Sequence, residues 1–184
     1  ANEMTIVYGQ TESSPGITQT RDQDSLELKT TTVGKALPNV EVKIVNPETG
    51  REVPIGQQGE LCTRGYHVMK GYYKMAEATK RAIDADNWLH TGDLAIMDNN
   101  GYCKITGRIK DMIIRGGENI YPREVEEFLY TNPKIKDVQV VGVSNEKYGE
   151  EVAAFIQLKP SQKATGEEII SFCKDQISYY KIPK

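Results

Sequence analysis

The rhythm of apolar and polar positions changes along the chain. Met4 to Tyr8 is a short, mostly apolar run that ends at Gly9, which reads as a buried strand feeding a loop. Arg21 to Thr32 is polar and without clear period, the pattern of a connecting loop. From Val33 the texture becomes that of short strands. Val40, Val42 and Ile44 alternate with Glu41 and Lys43, and Glu60 to Arg64 forms a further strand. Between them, Asn46-Pro47-Glu48-Thr49-Gly50 has proline-then-glycine turn chemistry. Met75, Ala78, Ala82 and Ile83 recur at helical intervals after Tyr73. Leu94 to Met97 and Tyr102 to Thr106 make a hairpin around Asp98-Asn99-Asn100-Gly101. This spacing of strands and turns predicts a small β-barrel-like or sandwich subdomain from about residue 33.

The stretch Gly107 to Glu126, GRIKDMIIRGGENIYPREVE, joins two differently built halves. Its apolar run Met112 to Ile114, the Gly116-Gly117 bend and Pro122 read as strand, bend, short strand and helix. The acidic residues Glu124, Glu126 and Glu127 lie where a helix N-terminus favours negative charge. The pattern beyond it is α+β. Val125, Phe128 and Leu129 form one apolar stripe, and Asn132-Pro133 ends that helix. Ile135 to Val143 and the alternating Val152, Ala154, Ile156 and Leu158 are two strands. Thr165 with Glu168 has capping-box spacing ahead of a stripe of Ile169, Phe172, Cys173 and Ile177. Two helices and a few strands normally need another element to close, so the end at Lys184 reads as a truncation.

Composition narrows the classes. The 184 residues are 38% hydrophobic and 27% charged, which is globular, and the net charge of −3 argues against a nucleic-acid role. The longest apolar runs are too short for a transmembrane segment, and no signal peptide begins at Ala1. Cys62, Cys103 and Cys173 have no metal or redox spacing, so buried reduced thiols in a cytoplasmic protein are expected. His67 and His90 are isolated in sequence and do not suggest a metal site.

Two loops carry candidate chemistry. In YGQTESSPG, Tyr8 can stack on a base, Thr11 can hydrogen-bond a phosphate oxygen, and Glu12 can hold a hard cation such as Mg²⁺. The same loop also fits a polar surface turn closed by Pro15. In WLHTGD, Asp93 follows a glycine at the start of a strand, where a carboxylate can accept both vicinal hydroxyls of a ribose. It could equally cap the turn. The Gly116-Gly117 stretch, taken by itself, is compatible with an ordinary structural hairpin. No internal repeat, low-complexity tract or glycine fingerprint of the GxGxxG or GxxxxGK type occurs.

Taken together, four stretches change the reading: YGQTE at Tyr8–Glu12, GELCTRGYHVMKGYY at Gly59–Tyr73, WLHTGD at Trp88–Asp93, and GRIKDMIIRGGENIYPREVE. In that order and spacing they resemble the adenylate-forming superfamily of acyl-CoA synthetases, luciferases and peptide-synthetase adenylation domains. The run GGENIYPREVE is most similar to medium- and long-chain fatty acyl-CoA synthetases, and aryl-CoA ligases share its GGENIYP part. The resemblance implies α/β and α+β architecture. Residues 1–108 would be the end of a large AMP-binding domain, and residues 109–184 most of a small mobile domain.

By matching position, the resemblance implies that Tyr8 packs on adenine beside Gly9, that Thr11 contacts the α-phosphate and that Glu12 binds Mg²⁺. Asp93 and Arg108 would hold the ribose of ATP, and Lys110 would be the hinge. Gly116 and Gly117 would line the pantetheine tunnel for coenzyme A. Glu60 and the Gly71-Tyr72-Tyr73 segment would be scaffold. The implied chemistry joins a carboxylic acid to AMP and then passes the acyl group to coenzyme A. Neither step needs a protein nucleophile, and both need in-line placement and neutralised charge. The family's phosphate loop and its adenylation lysine, in a Gly-Lys pair beyond the IPK segment, are not among these residues, so the chain alone is expected to lack ligase activity. A domain loading a carrier protein, an aryl-CoA ligase and a non-catalytic nucleotide-binding module are the other classes. A homodimer is compatible with the resemblance.

Overall fold

Short strands closed by tight turns make up most of the first half. The structure, a computed structural model, describes residues 4–184; Ala1, Asn2 and Glu3 lie outside the described residues. Contacts divide the chain into two units, one up to Thr106 and one from Gly107 on. In the first, β1 (Val7–Gly9), β2 (Gly16–Gln19) and β3 (Lys35–Ala36) form an antiparallel sheet in that order. A second sheet holds β4 (Val40–Val45), β5 (Gln58–Gly65), β6 (Leu89–Met97) and β7 (Cys103–Arg108), again in chain order. The sheets are tied where Val33 N–H donates to Cys103 O at 2.8 Å and Cys103 N–H donates to Gly34 O at 2.9 Å. Among the described residues both sheets are open, so the barrel-like subdomain expected from the sequence closes no barrel there.

β5 is the strand around which this unit packs. It is paired on both edges, and successive side chains go to opposite faces. Leu61 joins Ile17, Val40, Ile44, Ala95 and Cys103 on one face, while Cys62 joins Val45 and Trp88 on the other. Two cations approach the Trp88 ring, with Lys43 Nζ 4.2 Å and Arg64 Cζ 4.6 Å from its centroid.

Several elements differ from the sequence reading. The run from Met4 forms a strand over Val7–Gly9, with Thr20 N–H donating to Ile6 O at 3.0 Å just before it, and is an edge strand, with Val7 57% exposed rather than buried. β2 was not legible, because Ile17 and Thr18 are both buried and no alternation results. Arg21–Thr32 contains a helix, α1 (Leu26–Thr31), capped by Ser25. It buries none of its residues, so it leaves no apolar stripe to read. Helix α2 (Ala76–Ala82) follows Tyr73 as expected. β6 begins at Leu89, so Asp93 sits within the strand rather than at its start.

The second unit gathers one core. β8 (Ile113–Arg115) and β9 (Glu118–Ile120) form the hairpin around Gly116-Gly117, and α3 (Pro122–Leu129) follows with Pro122 in its first turn. β10 (Ile135–Asn145) and β11 (Gly149–Leu158) are a long antiparallel pair, completing a sheet of order β10-β11-β8-β9. Val125 and Leu129 of α3 pack with Ile113, Ile120, Val138, Val140 and Val152, and with Ile169 and Cys173 of α4 (Gly166–Cys173). Glu126 extends this contact by accepting the Val140 N–H at 2.8 Å. Thr165 caps α4 by accepting the Glu168 N–H, but the Glu168 side chain pairs with Lys134 at 3.3 Å instead of completing a capping box. α4 stops at Cys173, before Ile177, and Asp175 just beyond it has φ +60°.

All three cysteines are free and buried. Burial, with help from the Glu60 carboxylate, pushes the Cys62 thiol up to about 12, and burial takes Cys103 to about 11. At pH 8 these thiols stay protonated. Alkylation of Cys62 and Cys103 by iodoacetamide in the native protein should be at least about a hundredfold slower than that of free cysteine, and should reach the free rate in denaturant. Native labelling at the free-cysteine rate would show that they are accessible.

Candidate functional site

The site begins with an irregularity between β5 and β6. Glu60 pairs with Leu94 and Cys62 pairs with His90, so Leu61 alone on β5 faces Thr91, Gly92 and Asp93 on β6. Extra residues on one strand form a bulge, which re-aims the side chains it carries. Gly92 has φ +72°, a left-handed value that favours glycine. The bulge is held from two sides. Glu60 Oε1 accepts the Gly92 N–H at 2.9 Å, and Glu60 Oε2 lies 2.7 Å from His90 Nδ1. The Thr91 hydroxyl donates to Leu61 O at 2.7 Å and accepts the Asp93 N–H at 3.1 Å. Asp93 is thereby fixed and buried, and its Oδ2 accepts the Tyr8 hydroxyl at 2.7 Å.

Tyr8 stands at the end of β1, where the loop Tyr8–Pro15 turns back into β2. Thr11–Ser13 is one turn of 3-10 helix. Fully buried Ser13 staples it. Its Oγ accepts the Gln10 N–H at 3.0 Å and lies 2.8 Å from Gln10 O and 2.7 Å from Pro15 O, so one hydroxyl hydrogen serves two carbonyls. At Gly9 a Cβ would come within 1.6 Å of Pro15 O, so the loop can close only on glycine. Thr11 is exposed and Glu12 half-exposed on this turn.

The segment after β5 folds back onto the same loop. Met69 N–H donates to Glu12 O at 2.8 Å, and the Tyr72 hydroxyl donates to Glu12 Oε1 at 2.8 Å. That hydrogen bond raises the Tyr72 phenol above its ordinary value. Buried His67 places Nε2 2.9 Å from Thr63 Oγ1, whose hydrogen is directed at Glu41 O. Nε2 therefore carries the imidazole hydrogen. Burial also holds His67 below its usual value and neutral.

Within the first unit, Tyr8 is thus bonded to Asp93, and Glu12, on the loop that follows Tyr8, is bonded to Tyr72. Ser13, Glu60, Thr91 and Tyr72 position them. No sequence signal singles out Ser13; Thr91 stands in the WLHTGD stretch with no role assigned to it, and Glu60 and Tyr72 stand in a recognised stretch as scaffold. Glu60, Cys62 and His90 bring three donor atoms within 4.8 Å of one another. Their polar atoms are engaged with each other and with the Gly92 amide, which makes this group a brace for the bulge. The remaining site residues lie from the end of β7 onward. Arg108 is exposed at that end, and exposed Lys110 occupies a 3-10 turn, Ile109–Asp111, between β7 and β8. Gly116 and Gly117 are exposed, with φ +59° and +90°. No helix of the described residues is long and apolar enough to cross a membrane.

Comparison with known proteins matches the same stretches. Residues 1–73 match the AMP-binding enzyme family, and residues 124–184 match the AMP-binding enzyme C-terminal domain. The Bacillus subtilis protein named as an acyl-CoA synthetase, YngI, is 62% identical over 99% of this chain and 33% of its own length. Mitochondrial medium-chain acyl-CoA ligase ACSF2 of Bos taurus is 50% identical over 99% of this chain and 30% of its own. ATP-bound MatB from Rhodopseudomonas palustris superposes with a TM-score of 0.92 at 34% identity, over 98% of this chain and 35% of that one. The o-succinylbenzoate CoA synthetase MenE from Bacillus subtilis, with its acyl-adenylate intermediate, does so at 0.83 and 34% identity, over 98% of this chain and 36% of that one. The chain spans about a third of the length of these relatives. Sequence motifs, fold and relatives agree, and the chain belongs to the AMP-binding, adenylate-forming enzyme family.

Proposed function

We propose that the whole protein is an AMP-forming acyl-CoA synthetase acting on a medium-chain fatty acid. The observation that carries this reading is the 2.7 Å bond from Tyr8 to Asp93, two motif residues 85 positions apart, with Glu12 of the loop after Tyr8 held by Tyr72. The names of YngI and ACSF2 support the thioester-forming activity, and that of ACSF2 supports the chain length.

In the first step a carboxylate oxygen attacks the α-phosphorus of ATP. The bond from that phosphorus to the bridging oxygen breaks, and pyrophosphate leaves with the electron pair. Asp93 accepts the two ribose hydroxyls, Arg108 holds the same ribose, and Tyr8 lies against adenine next to Gly9. The Thr11 hydroxyl donates to an α-phosphate oxygen. Holding the nucleoside fixes the phosphorus in line with the carboxylate. Glu12 fits a hard divalent cation, because it offers carboxylate oxygens and the Tyr72 hydroxyl already orients one of them. Bound there, Mg²⁺ would neutralise charge on the phosphate oxygens. In the second step the sulfur of coenzyme A attacks the acyl carbon, AMP leaves and the thiol proton goes to solvent. Gly116 and Gly117 leave room for the pantetheine arm, and Lys110 is the hinge between the two steps. A reducing compartment, read as the cytoplasm, suits three buried unpaired cysteines.

MenE keeps an aryl acid as a second reading, since it matches at 34% identity. Pyrophosphate release by the whole protein should be fastest with octanoate among octanoate, palmitate, benzoate, malonate and o-succinylbenzoate, with octanoyl-CoA as product. A preference for o-succinylbenzoate would select the aryl reading, and no release with any acid would reject a ligase. Lys110→Pro should slow one half-reaction at least about tenfold more than the other, because proline fixes φ in the 3-10 turn. Equal losses, with adenylation and thioester formation measured separately, would remove Lys110 from the hinge.

A further inference from the structure

The Gly116-Gly117 hairpin is too small to hold its own place. β8 and β9 share three residue pairs, and β8 joins β11 through the single pair Arg115 and Gly149. Three-residue hairpins of this kind are marginal without outside support. Here the support comes from the turn between β10 and β11, in the stretch Lys147-Tyr148-Gly149-Glu150-Glu151.

Each connection is specific. Gly116 N–H donates to Tyr148 O at 2.8 Å, and Ile114 N–H donates to Glu150 Oε2 at 2.6 Å. Arg115 directs Nε and Nη2 at the two oxygens of Glu151, at 2.5 and 3.0 Å. Its guanidinium carbon lies 4.0 Å from the Tyr148 ring centroid. A Cβ on Gly116 would sit 3.3 Å from the same ring. The receiving turn is itself pinned, since Asn145 Oδ1 accepts the Lys147 and Tyr148 N–H groups, both at 3.0 Å.

Arg115 is 8% exposed. Burying an ion pair adds little net stability, and apolar residues of the same volume often do as well. A bidentate pair does supply direction, because both partners are planar and must align. Stacking on Tyr148 fixes the remaining rotation of the guanidinium. The arrangement is therefore suited to aiming the glycine turn rather than to strengthening the core.

We propose that Arg115, Tyr148 and Glu151 are positioning residues for thioester formation, clamping the Gly116-Gly117 turn so that the pantetheine arm finds it in one place. This rests on the reading of that turn as part of the coenzyme A path. The first test needs no activity: hydrogen exchange of the Gly116 amide in the whole protein, unmodified and as Glu151→Gln. Exchange should quicken at least tenfold in the variant, and unchanged exchange would overturn the clamp. The second test separates the half-reactions. With octanoyl-adenylate and coenzyme A, Glu151→Gln and Tyr148→Leu should each raise KM for coenzyme A at least tenfold, while pyrophosphate release from octanoate and ATP stays within twofold. The double variant Arg115→Met with Glu151→Leu should recover the melting temperature but not the coenzyme A step. Recovery of both, or parallel loss in both half-reactions, would make the trio merely structural. If the unmodified protein forms no octanoyl-CoA while the exchange result holds, the proposed function fails and the clamp stands.

Discussion

The site in the first unit depends on one carboxylate, Glu60, that serves two neighbours at once. A strand cannot carry extra residues past its partner unless the backbone groups left over find new partners. Glu60 takes the Gly92 amide with one oxygen and His90 with the other, and Thr91 closes the remaining side on Leu61 and Asp93. The bulge is then a fixed object rather than a loose loop. Its product is an Asp93 whose direction is set before any ligand arrives, met by a tyrosine hydroxyl from the other sheet. Preorganisation of this kind lowers the cost of binding, because the ordering has been done during folding.

The glycines divide by what they permit. Gly9 lets the Tyr8–Pro15 loop close on a carbonyl, Gly92 gives the bulge a left-handed angle, and Gly116-Gly117 makes a two-residue hairpin turn. At the first two, side chains from neighbouring elements finish the construction: Ser13 and Glu60. At the third the same work falls to Arg115, Tyr148 and Glu151. Flexible residues become exact positions only where a second set of residues removes their freedom.

Much of this was legible in the chain. Alternation at Val40–Ile44, the turn at Asn46–Gly50, the hairpin at Gly116-Gly117 and the stripe Val125–Leu129 all appear as strand, turn and helix. They are strong because period and burial coincide. α1 and β2 were not legible, since one buries nothing and the other buries adjacent residues. The motif residues Tyr8, Glu12 and Asp93 could be picked out by resemblance, but nothing in their spacing says that Tyr8 meets Asp93 or that Tyr72 meets Glu12. Those contacts cross 85 and 60 positions and exist only once the sheets pair. Ser13, in a polar loop, gave no hint of being fully buried.

The central claim is that a braced, buried Asp93 grips the two hydroxyls of a ribose. The direct measurement is calorimetric binding of AMP and of 2′-deoxy-AMP to the whole protein, unmodified and as Asp93→Asn. Hydrogen bonds to a charged group are worth about 1.5–3 kcal/mol. The unmodified protein should therefore prefer AMP by at least about tenfold, and the variant should bind the two nucleotides with nearly equal affinity. Equal affinities in the unmodified protein, or an undiminished preference in the variant, would contradict the account.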